Sequence, residues 1–312
     1  ALIAELETIL ADPGRRRSII AEELRAIADK HADDRRCQIV PDDGDFSLED
    51  LIADDELFIS VSDAGYVKSV KANVYRAQGR GGRGVKAAEL REGDLVRHLL
   101  HTSAHQHLLF FTNTGRVHRI KAHEIPVQAR TGRGVVAQAV LPLEPDERIQ
   151  AVLATRDFSE AKYLVMVTKR GQAKKTAFGE YDTPRQSVIA ISLRDDDELV
   201  SVRWTNGGHD TVIFTRNGMG IRFPEEELRA MGRDTQGVRG MKLREGDEVV
   251  AAGSSADGEE VVLLTSGGYG KRALLEKFRA QKRGGIGVKA IKLSRVRGHV
   301  VGALPVTPDD AP

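Results

Sequence analysis

Seven residues, Gln78, Gly79, Arg80, Gly81, Gly82, Arg83 and Gly84, combine positive charge with a backbone nearly bare of side chains. Glycine weakens helix and strand interiors, so the stretch reads as a loop. Three chemistries use such residue types. A nucleotide-phosphate cradle has glycines like these, but the Lys-Ser/Thr that ends a P-loop is missing and no helix opens here. A tight structural turn needs the glycines and not the arginines. A clamp on a polyanion backbone uses both: glycines let a phosphate approach closely, while Arg80, Arg83 and Lys86 supply donors.

A near copy returns at 281–287, Gln281-Lys282-Arg283-Gly284-Gly285-Ile286-Gly287, with Lys289 just beyond it. Weaker copies are QARTGRG from 128, with Arg130 and Arg133, and MGRDTQG from 231, with Arg233 and then Arg239. Other constellations are weaker. His98, His101, His105 and His107 crowd one stretch, and His105 and His107 would share a strand face. No cysteine or carboxylate is interleaved among them, so no metal is assigned. Trp204 and the scattered tyrosines form no stacking stripe and read as core. Neither a Ser-His-Asp pattern nor a nucleophile elbow is present, and one cysteine, Cys37, excludes a disulfide framework or a cysteine zinc finger.

The elements that position the boxes are short β runs. Five segments align on one glycine each, Gly65, Gly115, Gly171, Gly218 and Gly268, spaced by 50, 56, 47 and 50 residues. Each glycine follows an apolar run and precedes a strand carrying cations, which is the pattern of a hairpin turn with a positive φ. Those following strands hold Lys68, Lys71, His118, Arg119, Lys121, Lys174, Lys175, Arg222, Lys271 and Arg272. Thirteen residues past four of the glycines lies a box. The third unit has PRQSV from Pro184 in its place.

A tandem unit of about fifty residues with four strands predicts an all-β, propeller-like fold of five to six four-stranded blades; a linear β-solenoid is the alternative. The sixth unit would begin at VVGALPV, residues 300–306. Before the blades, Leu2, Ile3, Leu6, Ile9 and Leu10 make a helical stripe, and Asp12-Pro13 opens a second helix. The expected division is 1–35 helical, 36–56 an acidic linker and 57–312 the β domain.

Charge follows this division. Residues 1–56 carry 16 Asp and Glu against seven Lys and Arg; the whole chain carries 46 against 47, which leaves +10 on residues 57–312. A basic β domain fits a polyanion, and nucleic acid is the commonest. ALIAELETIL does not have the form of a secretory signal and no run of eighteen residues is apolar, so the chain reads as cytoplasmic and without a membrane span.

The box resembles the Q-R/K-R-G-G-K/R-G motif that marks the C-terminal, DNA-wrapping domain of gyrase A proteins, a family that includes the corresponding domain of topoisomerase IV. DDRRCQIV resembles the D-x-R-R-T-x-I segment after the catalytic core, GYVKSVKANVYRAQGRGGRGVKAAEL resembles the first blade, and LLTSGGYGKRALLEKFRAQKRGGIGVKA a later one. The resemblance implies a β-pinwheel whose blades exchange strands, with duplex DNA bent around a basic outer rim. Bending a site of 20–30 base pairs costs about 1–6 kcal/mol, so many phosphate contacts must act together. It also implies that residues 1–35 end a breakage–reunion domain. The partners would be the rest of a dimeric gyrase A protein and its ATPase partner, gyrase B, in a bacterial, nucleoid-associated enzyme. This fragment would catalyse nothing and hold no cofactor; ATP and Mg belong to the holoenzyme. Two features depart from the motif: Gly79 stands in place of a cation, and five units and a fraction replace the usual six. Both point toward topoisomerase IV as the alternative to gyrase, and a protein-scaffolding propeller is the alternative from another class.

Overall fold

The computed structural model describes residues 2–33, 48–75 and 92–309. The chain divides into two units, residues 1–50 and 51–312. In the first, α1 (Leu2–Ala11) and α2 (Pro13–His31) form an αα pair. Asp12 caps α2, its carboxylate accepting from the Gly14 amide at 2.8 Å, with Pro13 in the first turn. Here the expected cap and first-turn residues do the work assigned to them.

The second unit is a five-bladed β-propeller. Blade one holds β1 (Glu56–Ser62), β2 (Tyr66–Lys71) and β3 (Val96–Ser103). Next come β4 (His107–Thr112), β5 (Arg116–Lys121), the short β6 (Val135–Val136) and β7 (Ile149–Thr155). Unit three supplies β8 (Tyr163–Thr168), β9 (Gln172–Ala177), β10 (Ser187–Ile189) and β11 (Leu199–Thr205). Unit four supplies β12 (Asp210–Thr215), β13 (Met219–Pro224), β14 (Val238–Arg239) and β15 (Val249–Ser254). Unit five ends the series with β16 (Glu260–Thr265), β17 (Gly270–Leu274), β18 (Val288–Lys289) and β19 (Val300–Val306).

The sheets do not follow the repeat. Their orders are β3-β1-β2-β6, β10-β5-β4-β7, β11-β8-β9-β14, β15-β12-β13-β18 and β17-β16-β19. The outermost strand of each of the first four sheets therefore comes from the next unit, the exchange that the family resemblance implied. The sheet count corrects one expectation. VVGALPV starts no sixth unit: it is β19, paired antiparallel with β16 inside blade five.

Apolar runs at the start of the second, third and fourth hairpins are buried on both faces because a blade lies on either side. In Leu108-Leu109-Phe110-Phe111, Leu108 and Phe110 pack with Leu57 and Ile59 of blade one. Leu109 and Phe111 turn the other way, against Leu164 and Met166 of blade three. The interface repeats with Val165 and Val167 on Ile213, and with Val212 and Phe214 on Val261 and Leu263. Each such side chain contributes about 1.5–3 kcal/mol on burial, so blade-to-blade packing is the core of this unit.

Hairpin turns are latched by an acid from the turn before the inner strand. Asp197 accepts from Thr168 Oγ1 at 2.6 Å and from the Arg170 amide at 2.9 Å; Asp247 does the same with Thr215 and Asn217 at 2.7 and 2.9 Å. Glu147 serves blade two. Burial pushes its carboxyl up, and hydrogen bonds from Thr112, the Glu144 amide, His118 and Thr114 outweigh burial and hold it below the usual range.

Candidate nucleic-acid interface

Each of the three described boxes, from 128, 231 and 281, is a loop that arches over the outer hairpin strand of the preceding unit. Its first residue docks at one point: the amides of Gln128, Met231 and Gln281 donate to the carbonyls of Ser69, Lys175 and Arg222 at 2.8–2.9 Å. Its last glycine docks two residues back along the same strand. At Gly287, with φ +79°, a Cβ would lie 2.3 Å from the Gly220 carbonyl oxygen. Gly237 sits in the same way on Ala173. These glycines are therefore required for backbone-on-backbone approach between blades, where any side chain would collide. The expected reason was close approach to a phosphate; for Gly287 a neighbouring blade takes that place. In unit three Ser187 occupies the equivalent register, opposite His118.

The cations divide into two classes. One class sits three, four or six residues past the turn glycines, and its charged ends are engaged by protein atoms of the same blade or the next. Lys68 is 3% exposed, and its Nζ donates to the carbonyls of Arg130 and Gly132 at 2.8 and 3.0 Å. Lys174 is fully buried, with its Nζ on the carbonyls of Ala190, at 2.8 Å, and Arg233. Burial lowers both amines, Lys174 to about 8. Lys175 donates to Glu225 O at 3.0 Å, and Arg222 to Asp210 at 2.5 Å and Leu275 O at 3.1 Å. Arg119 pairs with Asp182 at 3.4 Å and lies over the Phe158 ring. His118 is buried against Glu147, while Lys121 donates to His105 O and Lys71 pairs with Asp55. In blade five, Lys271 Nζ donates to Ala290 O, and Arg272 pairs with Glu260 and reaches Thr307 O.

This corrects the expectation for Lys68, Lys174 and Lys175 as phosphate contacts. Desolvating an ammonium is costly, so these three are held where carbonyls replace water, out of reach of a duplex. Their spacing from the turn glycines put them on the right strand; strand exchange, which covers that strand with the next box, puts them inside.

The second class lies on the boxes themselves. Arg133, Arg239, Lys282 and Lys289 are exposed, and among the described residues no hydrogen bond or ion pair engages their charged ends. Arg239 and Lys289 stand on β14 and β18, the outermost strands of the third and fourth sheets. Arg130 is half-buried. Gln78, Arg80, Gly81, Gly82, Arg83, Gly84 and Lys86, the first box, lie outside the described residues.

Adjacent boxes also touch, which sequence spacing did not show. The Ser192 amide donates to Thr235 O at 3.1 Å, and Arg194 Nε reaches Gln236 at 3.3 Å. One blade on, Lys242 N donates to Gly285 O at 2.9 Å and Gly284 N to Gly240 O at 2.6 Å. The connecting segments of units three, four and five thus form one hydrogen-bonded belt around the blades. The histidine cluster is divided: His105 Nε2 contacts Ile52 O at 2.7 Å, while His107 lies beside Phe158. Trp204 packs into the core between blades two and three.

The family described as "DNA gyrase C-terminal domain, beta-propeller" matches residues 56–103, 106–156, 162–205, 209–255 and 259–307. The DNA gyrase A protein of Clostridium acetobutylicum is 45% identical over 239 residues, which cover 76% of this chain and 29% of that protein. The chain thus spans about three tenths of the length of such relatives. A solved DNA gyrase A C-terminal domain superposes with a TM-score of 0.65 at 28% identity, covering 82% of this chain and 84% of that one. The C-terminal domain of a DNA topoisomerase IV superposes with a TM-score of 0.69 at 28% identity, covering 81% and 78%.

Proposed function

The chain belongs to the DNA gyrase C-terminal β-propeller family, and on that premise we propose that it binds duplex DNA along its belt of boxes and bends it. Sequence preference is weak, because such contacts go to phosphates and not to base edges. In the whole protein the domain acts as the C-terminal part of gyrase A, beside a dimeric breakage–reunion core and the ATPase partner, gyrase B. It presents DNA for ATP-driven negative supercoiling and performs no chemistry itself.

One observation carries this reading. Arg239, Lys282 and Lys289 lie exposed, their charged ends unengaged among the described residues, on consecutive boxes that backbone hydrogen bonds join. A polyanion following that belt meets a series of donors in fixed relation, the arrangement needed to offset a bend. The 45% identity to a gyrase A protein favours gyrase over topoisomerase IV.

The test mixes the chain with nicked circular plasmid, seals the nick with ligase and resolves the topoisomers. A protein-dependent shift in linking number supports wrapping and gyrase. Gel retardation without a shift supports the topoisomerase IV reading. Absence of binding at low salt overturns the DNA reading in favour of a protein scaffold.

A further inference from the structure

The third box residue is arginine in all four boxes, Arg80, Arg130, Arg233 and Arg283, and in a DNA clamp it is the obvious finger. At Arg233 and Arg283 the surroundings assign it another task. Arg283 donates its backbone amide to Glu227 Oε2 at 2.7 Å, its Nε to Glu227 O at 3.0 Å and its Nη1 to Arg239 O at 3.3 Å. Glu227 closes the 3-10 turn Glu225–Glu227, which follows β13 in the preceding blade. Lys175 of β9 donates to the same turn, at Glu225 O. One blade earlier, Arg233 Nη1 donates to Glu180 O at 2.6 Å, in the 3-10 turn Phe178–Tyr181 after β9. The same box position thus grips the same turn of the preceding blade twice. Beside Arg283, the Gly284 amide is seated on Gly240 O.

We infer that Arg233 and Arg283 are positioning residues that seat each box on the blade before it, that Glu227 holds Arg283 in place, and that the phosphate contacts fall to Arg239, Lys282 and Lys289. The functional consequence rests on the DNA reading above; the seating itself does not. Arginine suits the role because its planar fork reaches two carbonyls at once, which a lysine point charge cannot do. Exposed lysines on the outer strand suit the other role, since counterion release needs charge and not a fixed fork.

The experiment measures the affinity of the 312-residue chain for a linear duplex of about 30 base pairs against KCl concentration, and amide exchange at Gly284 and Lys242 in the same variants. Lys289→Ala lowers the slope of log K against log salt by about 0.9 and leaves both amides protected. Arg283→Ala weakens binding about ten-fold at every salt with the slope unchanged, and strips protection from both amides. Arg283→Lys does not rescue it, and adding Glu227→Ala to Arg283→Ala causes a further loss, because the Glu227 carboxylate accepts from the residue-283 backbone amide, which Arg283→Ala leaves in place. If Arg283→Ala instead lowers the slope as Lys289→Ala does, keeps both amides protected and is rescued by lysine, Arg283 is a phosphate contact and the inference is overturned. Should Arg283→Ala fail to fold, Arg283→Lys, which keeps the charge and lacks the Nε and Nη1 fork, is decisive: lost protection at Gly284 supports the seating, and full protection overturns it. If the unmodified chain binds no duplex at low salt, the DNA reading falls, and amide exchange still decides the seating by the same criterion.

Discussion

Lys174 and Lys289 are both lysines on strands of this propeller, one on β9 inside its sheet and one on β18 at a sheet edge, and they occupy opposite environments. Lys174 is fully buried, with its amine on the carbonyls of Ala190 and Arg233. Lys289 is exposed and unengaged among the described residues. The difference is which strand the next blade covers. β9 lies under β14 from the following unit, whereas β18 is itself the covering strand, with solvent beyond it. Residue type marks both positions as basic, and strand order decides which charge holds the ring together and which remains available to a ligand.

The largest effect expected is on the buried side. Lys174→Ala takes the amine donor from the Arg233 carbonyl, leaves the Ala190 carbonyl with the Tyr181 hydroxyl at 3.3 Å and opens a cavity, at a cost of about 2–4 kcal/mol in unfolding free energy by urea titration. A loss under about 0.5 kcal/mol would mean that water replaces the amine, and would break the contrast with Lys289. Gly287→Ala is next, at about 2–3 kcal/mol, because the new Cβ meets the Gly220 carbonyl in a left-handed backbone. Gly65→Ala sharpens that result. Its φ is +81° but no atom lies within 4 Å of the added Cβ, so only the conformational strain of about 1 kcal/mol remains.

A pH titration then separates the two lysines without removing a carbonyl's neighbour. The folded-state value of Lys174, about 8, lies below its ordinary 10.5. Between those values the unfolded chain keeps a proton that the folded chain has released, so stability rises with pH across this window. The rise is about 1–3 kcal/mol, and Lys174→Met reduces it, leaving the contribution of the same sign from Lys68; Lys289→Met leaves it intact. On the exposed side the stability effect is smallest and the binding effect specific. Lys282→Ala with Lys289→Ala shifts unfolding by no more than about 0.5 kcal/mol and reduces the salt slope of DNA binding by about 1.8. An unchanged slope would remove these two lysines from the interface.

The repeat was legible because its causes are local. Turn glycines such as Gly171, at φ +81°, have few substitutes. Leu108-Leu109-Phe110-Phe111 shows in its composition that both faces are buried, and Asp12-Pro13 announces α2. The boxes were legible as loops with cations. What could not be read was which atoms each loop meets. Glu227 and Glu180, which hold Arg283 and Arg233, are 56 and 53 residues away in the chain, and nothing in their own neighbourhoods marks them as partners of a box.

By itself, the sequence determined the kind of unit, its period of about fifty residues, its number of hairpins and the stock of positive charge on them. Tertiary structure alone decided ownership: VVGALPV completes blade five instead of opening a sixth, and each outermost strand serves the preceding sheet. The physical reason is that a hairpin strand gains hydrogen bonds by pairing its open edge, and in the first four sheets the nearest strand able to supply them belongs to the next unit. That pairing buries Lys68 and Lys174 and leaves Arg239 and Lys289 outside, a sorting that charge and spacing along one chain cannot express.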